Sequence, residues 1–322
     1  MHVLLIGDGS LAKRRIVPAL ESLGSVDRIH IAEAFGVVPE DAVSVEKRGR
    51  VFSDFQEALG SCGECLVYVS QPNSAHAFWA GQALETGHHV IVDKPAVTEL
   101  AEAERICALA ASKSRCVAEA NVWCHHPIVD ALRQLIAAQK ASPLAISATF
   151  TSPAMNADNF RYRAALGGGA LLDRASYAVS CGRVLLGGAP SDVYCRKSPL
   201  LPSREVETSF SLSLTYDRGA TLLAFMSIEA EYRNGIEVIG SDYSLEVQRL
   251  FTPPGDYEAS IQVRQNNVAS TVRVSAGDTF ARFIGDVVAS IEAGNESHHA
   301  DLLLADAHVM QAIRMSAKGA RE

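Results

Sequence analysis

The first 120 residues alternate short apolar runs with amphipathic segments of helical spacing. Five runs are predicted strands: residues 3–6, 28–32, 65–70, 89–92 and 115–118. Helical patterns lie between them, over residues 11–23 and 75–86 and, after a predicted cap at Thr98, over residues 100–110. Pro18 predicts a kink in the first of these helices. Fully apolar strands separated by helices are typical of a parallel sheet covered on both faces. We therefore predict an α/β fold with a parallel, doubly wound sheet here.

Strand patterns dominate from about residue 144. Residues 206–216 alternate apolar and polar side chains, which predicts a strand with one face exposed to solvent. Further strands are predicted over residues 221–229, 236–239, 244–250, 260–264 and 270–274. One long helix is predicted over residues 168–186, and two more close the chain, from Thr279 and from about Asp301. The pattern predicts a large, mostly antiparallel sheet in a second, α+β domain, with domains at 1–120 and 121–322.

Composition narrows the class of protein. The chain has 322 residues, of which 48% are apolar and 20% charged, as in a globular protein of about two domains. Its net charge of -8 argues against nucleic acid or an anionic membrane as a partner. The chain enters a strand at once, which leaves no room for a signal peptide. Seven scattered cysteines read as reduced thiols, so we expect a cytoplasmic protein.

A glycine-rich turn follows the first predicted strand. The motif is Gly7-x-Gly9-x-x-Ala12, and a helix begins directly after it. In such a turn the first glycine allows the tight bend, the second lets a pyrophosphate approach the backbone, and the small third residue lets helix and strand pack closely. We therefore predict dinucleotide binding rather than a merely structural turn, with these cofactor contacts: Gly7, Gly9, Ser10, Leu11 and Ala12.

Glu33 closes the second predicted strand, where it can accept hydrogen bonds from a ribose 2′-hydroxyl and would repel a 2′-phosphate. The residue favours NAD over NADP, although a solvated carboxylate is the alternative. Three basic residues could still accommodate a phosphate: Lys13, Arg14 and Arg15.

Two further segments carry candidate chemistry. Lys94 follows the strand at 89–92, at the carboxyl edge where open α/β sheets bind ligands. Asp173 and Tyr177 are four residues apart on the predicted long helix and share one face. Without further context, Lys94 could be a solvated charge and Tyr177 a core residue.

Four motifs in this order resemble the glucose–fructose oxidoreductase/inositol dehydrogenase (Gfo/Idh/MocA) family. They are Gly7-x-Gly9-x-x-Ala12, Ser70-Gln71-Pro72-Asn73-Ser74-Ala75-His76, Asp93-Lys94-Pro95 and Gly167-Gly168-Gly169-x-Leu171-x-Asp173-x-x-x-Tyr177. The resemblance implies a Rossmann domain, a catalytic Lys94, and an Asp173 that orients substrate or lysine. It also implies further residues around the cofactor: Ser70, Gln71, Pro72, Asn73, His76, Asp93, Lys94 and Pro95. His76 could alternatively be only a packing residue.

The sequence departs from the family pattern at three positions. Asp93 stands for the usual glutamate, Ala175 for a glycine, and Tyr177 for the histidine of many sugar and inositol dehydrogenases. Tyrosine in that position resembles a branch that includes ketoreductases of nucleotide-linked keto sugars, and residues 232–234 and 251–254 resemble that group most. The resemblance thus implies NAD(P)-dependent ketoreduction in deoxysugar or surface-polysaccharide biosynthesis. We expect Lys94, Asp173 and Tyr177 to be the catalytic residues, with Tyr177 donating its phenolic proton to the alkoxide that forms. Alternatives are a free-sugar or trans-dihydrodiol dehydrogenase, an imine reductase of a siderophore-type pathway, and a dinucleotide-sensing regulator.

Several residues are weaker candidates. Predicted substrate contacts are Arg161, Arg163, Trp123 and Tyr232, with solvated or packing roles as the alternatives. Cys62-x-x-Cys65 has the spacing of half a metal site, but we expect no metal because Cys65 begins a buried strand. Residues 221–229 are apolar on both faces, so we expect the open face of the sheet to be covered, either by another subunit or by the chain's own segments. The family resemblance implies a homo-oligomer (dimer or tetramer) formed through that face.

Overall fold

The structure, a computed structural model, describes residues 1–7, 9–33 and 43–319. Within these the chain divides into two compact units. The first comprises Met1–Ala120 and Phe280–Ala307. The second comprises Asn121–Thr279 and the chain from His308 onward.

The first unit is built on a parallel sheet with strand order β3-β2-β1-β4-β5-β6. Its strands are β1 (His2–Ile6), β2 (Arg28–Ala32), β3 (Arg48–Phe52), β4 (Leu66–Val69), β5 (His89–Asp93) and β6 (Val117–Ala120). Its helices before residue 120 are α1 (Val17–Ser22), α2 (Phe55–Ser61), α3 (Asn73–Glu85) and α4 (Leu100–Lys113). All strand pairs of this sheet are parallel, which confirms the predicted doubly wound fold.

Some local features of the first unit differ from the predictions. The helical segment before Pro18 contains a π-helical turn, Ala12–Ile16, so the irregularity lies ahead of the proline that lacks an N–H. Helix α4 is capped by Glu99 rather than Thr98, because Glu99 and Glu102 form a reciprocal capping box. Strand β3 was not predicted, since this edge strand is polar and partly exposed.

The second unit contains an eight-stranded sheet of order β14-β13-β12-β11-β7-β10-β9-β8. Before the sheet comes α5 (Pro127–Ala137), and α6 (Ala170–Leu185) follows the first strand. The strands are β7 (Ala145–Thr151), β8 (Asp192–Lys197), β9 (Ser209–Thr215), β10 (Thr221–Ser227), β11 (Arg233–Ile239), β12 (Tyr243–Gln248), β13 (Ala259–Gln265) and β14 (Val268–Val274). Only β7 and β10 pair in parallel among these strands, so the sheet is mostly antiparallel as predicted.

One face of this sheet supplies the core of the second unit. On β9 the alternating residues Phe210, Leu212 and Leu214 are buried. Their pairing partners on β10 are buried as well: Met226, Ala224 and Leu222. Helix α6 covers β9 and β10 on this face. The opposite face of β10 leaves Leu223 and Phe225 51% and 44% exposed.

Two helices close the chain: α7 (Thr279–Glu292) and α8 (Ser297–Gly319). Helix α7 begins where it was predicted, whereas α8 begins four residues earlier than the predicted Asp301. Leu303 and Ala307 of α8 join the core of the first unit, while Met310 and Ile313 join that of the second. None of the helices that the structure describes has the length and apolar character of a membrane span.

Candidate active site

The glycine turn lies at the carboxyl end of β1, between the ends of β2 and β4. Gly7 has φ +108° and donates its N–H to Ala32 O at 3.0 Å, and Ser70 donates its N–H to Ile6 O at 2.9 Å. A Cβ on Gly7 would lie 2.1 Å from Ser70 O, so only glycine fits there. Among the described residues, a Cβ on Gly9 would meet no atom within 4 Å. The turn is therefore tight at Gly7 and open at Gly9.

The helical segment after the turn presents polar backbone next to that open space. Ser10 and Leu11 are exposed at its start, whereas Ala12 is fully buried against the sheet. Glu33 lies directly after β2, and its N–H donates to Phe52 O at 3.0 Å. These are the positions that a pyrophosphate and a ribose would need. Residues 34–42, which follow Glu33, are outside the described residues.

The segments that follow β4 and β5 lie at the same edge of the sheet, because all of these strands are parallel. Gln71 reaches back over the end of β1, with its Nε2 3.5 Å from Ile6 O. Lys94 follows β5 directly, is half-buried, and precedes Pro95 through a cis peptide bond. The sheet thus gathers the glycine turn, the segment after β4 and Lys94 within one unit.

His76 connects two of these segments. It is buried in the first turn of α3, which begins at Asn73, itself buried. The His76 Nδ1 lies 2.7 Å from Pro95 O, and its Nε2 lies 2.7 Å from Gln71 O. The ring therefore positions the backbone on either side of the site, which agrees better with the packing alternative than with direct contact to a cofactor.

Asp93 is fixed by two hydroxyl groups of the neighbouring strand β4. Tyr68 donates to Asp93 Oδ1 at 2.9 Å and Ser70 donates to Asp93 Oδ2 at 2.7 Å. Burial, followed by the nearby Asp93 carboxylate, raises the pKa of Tyr68 well above its ordinary value, so the phenol keeps its proton. Sequence reasoning missed Tyr68. Its signal was a tyrosine in a run that is otherwise purely aliphatic.

In the second unit, the triple glycine brings the start of α6 close to two other segments. A Cβ on Gly168 would lie 2.6 Å from Arg161 O, and one on Gly169, which has φ +108°, would lie 2.8 Å from Glu207 Oε1. Glu207 also accepts a hydrogen bond from the Leu171 N–H at 3.1 Å. The glycines therefore hold Arg161 and the N-terminal turn of α6 in one place.

Asp173 on α6 lies between two arginines. Its Oδ1 accepts from Arg161 Nε at 2.9 Å, and its Oδ2 accepts from Arg174 Nε at 3.0 Å. Arg174 also donates to Ser152 Oγ at 2.9 Å, and its guanidinium lies 3.8 Å from the centre of the Phe150 ring. Sequence reasoning predicted Asp173 and Arg161 but missed Arg174, which a buried arginine next to a buried aspartate could have indicated.

Tyr177 lies one turn further along α6 and is half-buried. Its ring packs edge-on against Phe150, with centroids 5.0 Å apart, and at a tilt against Phe251, at 5.3 Å. The phenol is thus held in an aromatic cluster at the end of β7.

The four predicted substrate contacts have different surroundings in the structure. Trp123 is 0% exposed and donates its indole N–H to Ser180 Oγ at 3.0 Å, so the packing alternative applies to it. The two terminal nitrogens of Arg163 face Glu205 and Asp158 at 3.4 and 3.8 Å. Tyr232 is 40% exposed and accepts from Asn234 Nδ2 at 3.3 Å, and with Arg161 it stays a predicted contact.

The cysteines are explained by packing. Cys65 is buried, its Sγ lies 3.4 Å from His88 Nδ1, and burial raises its pKa to about 12. Across residues 1–7, 9–33 and 43–319, the structure forms no group of three histidine, cysteine or acidic side chains that could hold a metal ion.

Comparisons with known proteins agree with this geometry over both units. The model of the oxidoreductase family with an NAD-binding Rossmann fold matches residues 1–121, and that of the GFO/IDH/MocA C-terminal domain matches residues 129–246. The chain belongs to the Gfo/Idh/MocA oxidoreductase family. Membership confirms the resemblance seen in the four motifs, and it makes the protein an NAD(P)-dependent oxidoreductase.

Similar relatives cover almost the whole chain. The dTDP-3,4-didehydro-2,6-dideoxy-α-D-glucose 3-reductase of Saccharopolyspora spinosa is 29% identical over 91% of this chain and 88% of its own. The enzyme of that name from Actinomadura kijaniata is 28% identical over 99% and 96%. A solved 3-ketoreductase from Actinomadura kijaniata, a tyrosine variant in complex with TDP-benzene and NADP, superposes with a TM-score of 0.91 at 26% identity over 98% and 97% of the two chains.

Proposed function

We propose that this protein is an NAD(P)-dependent ketoreductase that reduces a keto group of a nucleotide-linked sugar in deoxysugar or surface-polysaccharide biosynthesis. The observation that carries the proposal is the end-to-end similarity to 3-ketoreductases, at a TM-score of 0.91, together with a tyrosine on α6 and a lysine after β5. Solved structures of the Actinomadura kijaniata enzyme include variants of one lysine and of one tyrosine. In this proposal the first unit binds the dinucleotide, and the second binds the sugar.

The residues around the glycine turn fit a dinucleotide. A pyrophosphate would approach the backbone at Gly9, where a Cβ would point into open space, and would face the N–H groups at the start of the helical segment. Glu33 would accept hydrogen bonds from the ribose hydroxyls. Gln71, Pro72 and the segment at Lys94 would border the nicotinamide end, which supplies the hydride when the cofactor is bound.

Lys94 and Tyr177 are assigned the two roles that a carbonyl reduction needs. Lys94 places a positive charge against the carbonyl oxygen, where negative charge develops as the hydride arrives. Tyr177 donates its phenolic proton to that oxygen, so that an alcohol is formed. A well-placed acid of this kind contributes roughly 10²–10⁴ in rate. Asp173 lies on the same helix as Tyr177 and forms ion pairs with Arg161 and Arg174. We therefore assign Asp173 a positioning role.

The assay that tests the proposal follows oxidation of NADPH and NADH with dTDP-3,4-didehydro-2,6-dideoxy-α-D-glucose as substrate. We expect turnover with the nucleotide-linked keto sugar and none with the same sugar without its nucleotide. Reduction of NAD(P)⁺ by free sugars or by a trans-dihydrodiol, or reduction of an imine, would replace the proposal with the corresponding alternative. Cofactor binding without turnover of any of these compounds would favour a sensor.

The cofactor preference has its own test. Glu33 next to a ribose favours NAD, whereas the solved 3-ketoreductase from Actinomadura kijaniata holds NADP. Parallel quenching of NADH and NADPH fluorescence measures the two dissociation constants. Tighter NADH binding that is lost in Glu33→Gln would support the role of Glu33, and tighter NADPH binding to the unaltered protein would overturn it.

The exposed face of the second unit's sheet fits a second copy of this chain. Leu223 and Phe225 of β10 are partly exposed, and their partners on the neighbouring strands are all small: Ser213, Ser147, Ser211 and Thr149. Exposed apolar patches of this kind mark interfaces. Light scattering should show a dimer or tetramer that Phe225→Glu dissociates, and a monomer at micromolar concentration would remove this part of the proposal.

A further inference from the structure

We infer that Phe150 and Phe251, with the Arg174 guanidinium over the Phe150 ring, are positioning residues that fix the ring of Tyr177. The inference rests on the proposed role of Tyr177 as the proton donor and deepens it.

The contacts of Tyr177 come from two segments that are far apart in sequence. Phe150 is on β7 and packs edge-on against the Tyr177 ring, with an interplanar angle of 77°. Phe251 follows β12 and meets the same ring at 52°. The two phenylalanines stack on each other with centroids 5.7 Å apart and planes 25° apart. A side chain held on two sides has few rotamers left, so the phenolic oxygen is restricted to a small region.

Phe251 is itself held by hydrogen bonds of its segment and by a third ring, that of Trp123. Its N–H donates to Asn234 Oδ1 at 2.9 Å, and Asn234 Nδ2 donates to Thr252 Oγ1 at 2.8 Å. Trp123 packs edge-on against Phe251 at 5.3 Å. Asn234 and Phe251 are both almost fully buried, so this arrangement is rigid. The segments 232–234 and 251–254, which resembled the ketoreductase branch, therefore meet in space at Asn234.

Arg174 contacts the same Phe150 ring through its guanidinium. Its guanidinium is 3.8 Å from the ring centre and is anchored by Asp173 and Ser152. The side chain is only 8% exposed, and its Nη1 is a buried atom without a hydrogen-bond partner among the described residues. A cation that lacks one hydrogen bond is stabilised by the face of an aromatic ring, so the contact with Arg174 holds the Phe150 ring in place. Asp173 would then act on Tyr177 through Arg174 and Phe150.

The test compares Phe251→Leu with the control Phe210→Leu, in the wild-type and the Tyr177→Phe backgrounds. Phe210 is 1% exposed, belongs to the same core, and makes no ring contact within the described residues. Phe251→Met, which keeps side-chain bulk but lacks a ring, serves if Phe251→Leu fails to fold. The measurements are kcat, KM, Tm and the Kd for NAD(P)H from fluorescence.

We expect Phe251→Leu to lower kcat roughly 10- to 100-fold, as for a misplaced reacting group, with KM and Kd nearly unchanged. Phe210→Leu should lower Tm without this loss of kcat. In the Tyr177→Phe background, Phe251→Leu should change kcat less than about twofold, because the two residues act as a unit.

The outcomes separate the two proposals. If Tyr177→Phe lowers kcat but Phe251→Leu lowers it by the same factor in both backgrounds, the positioning role is wrong while the proposed function stands. If Phe251→Leu and Phe210→Leu have equal effects on kcat, the effect is general destabilisation, and the inference is again wrong. If Tyr177→Phe keeps the wild-type kcat, the proposed role of Tyr177 fails, and the inference falls with it.

Discussion

The two glycines of the turn should respond differently to substitution by alanine. A Cβ at Gly9 would lie more than 4 Å from every atom of the part of the chain that the structure describes, so we expect the fold to accommodate Gly9→Ala. At Gly7 the φ is +108°, and the added Cβ would lie 2.1 Å from a backbone oxygen, so Ser70 would have to move. Gly9→Ala therefore tests whether the space beside Gly9 holds the ligand, whereas Gly7→Ala tests the fold of the turn.

The magnitudes follow from these distances. Gly7→Ala places a side chain in the left-handed region, which costs about 1–2 kcal/mol before the clash is relieved. In a chain of this length each 1 kcal/mol corresponds to roughly 2–4 °C or less in Tm. Gly9→Ala removes the close approach of a pyrophosphate to backbone N–H groups. Losing one charge-assisted hydrogen bond costs about 1.5–3 kcal/mol, or roughly 10- to 150-fold in the Kd of the dinucleotide.

The assay measures Tm by differential scanning fluorimetry without ligand and the Kd for NADH and NADPH by fluorescence quenching. We expect Gly9→Ala to keep the wild-type Tm and to weaken dinucleotide binding at least tenfold, which corresponds to about 1.4 kcal/mol. We expect Gly7→Ala to lower both Tm and affinity. Wild-type affinity in Gly9→Ala would refute the assignment of the open space to the pyrophosphate, whatever happens to Gly7→Ala.

Two further predictions concern the stability of the first unit. His30, His88 and His89 each accept a backbone N–H on Nδ1, and burial lowers the pKa of each below 6.5, so the unfolded chain binds protons first as the pH falls. The free energy of unfolding should therefore fall below about pH 6.5, by at most about 1.4 kcal/mol per pH unit for each histidine. Urea unfolding at pH 7.5 and 5.5 checks this, and equal stability at both would contradict it. Tyr68→Phe removes the donor to Asp93 Oδ1 and should cost about 1–3 kcal/mol of stability and also lower kcat, because Asp93 precedes Lys94. An unchanged kcat in Tyr68→Phe would show that this network does not position Lys94.

The order of the elements in each unit could be predicted because hydrophobic period and glycine placement dominate locally. The apolar strands β1, β4 and β5 and the alternating strand β9 were found where their patterns indicated. Strand β3 escaped prediction because its sequence, Arg-Gly-Arg-Val-Phe, has neither pattern, and only its pairing with β2 makes it a strand. Tertiary pairing overrode local propensity there.

Only those residues of the site that belong to a recognisable motif could be predicted from the sequence. The motifs identified Lys94, Asp173 and Tyr177, but nothing in sequence spacing indicates that Phe150 and Phe251, a hundred residues apart, contact the same tyrosine. Trp123 was predicted to touch substrate and is instead fully buried, because its indole N–H has a hydroxyl partner inside the second unit. Contacts of this kind depend on which sheet face a helix covers, which the chain does not encode locally.

A crystal structure of the protein with NADP and a dTDP-linked sugar analogue tests the central claim most directly. The distances that decide are those from Lys94 Nζ and from Tyr177 Oη to the oxygen of the sugar carbon that faces the nicotinamide. The account predicts that both lie within about 3.2 Å of that one oxygen. A complex in which either group is well beyond hydrogen-bond reach of it, while sugar and nicotinamide are in contact, would contradict the account.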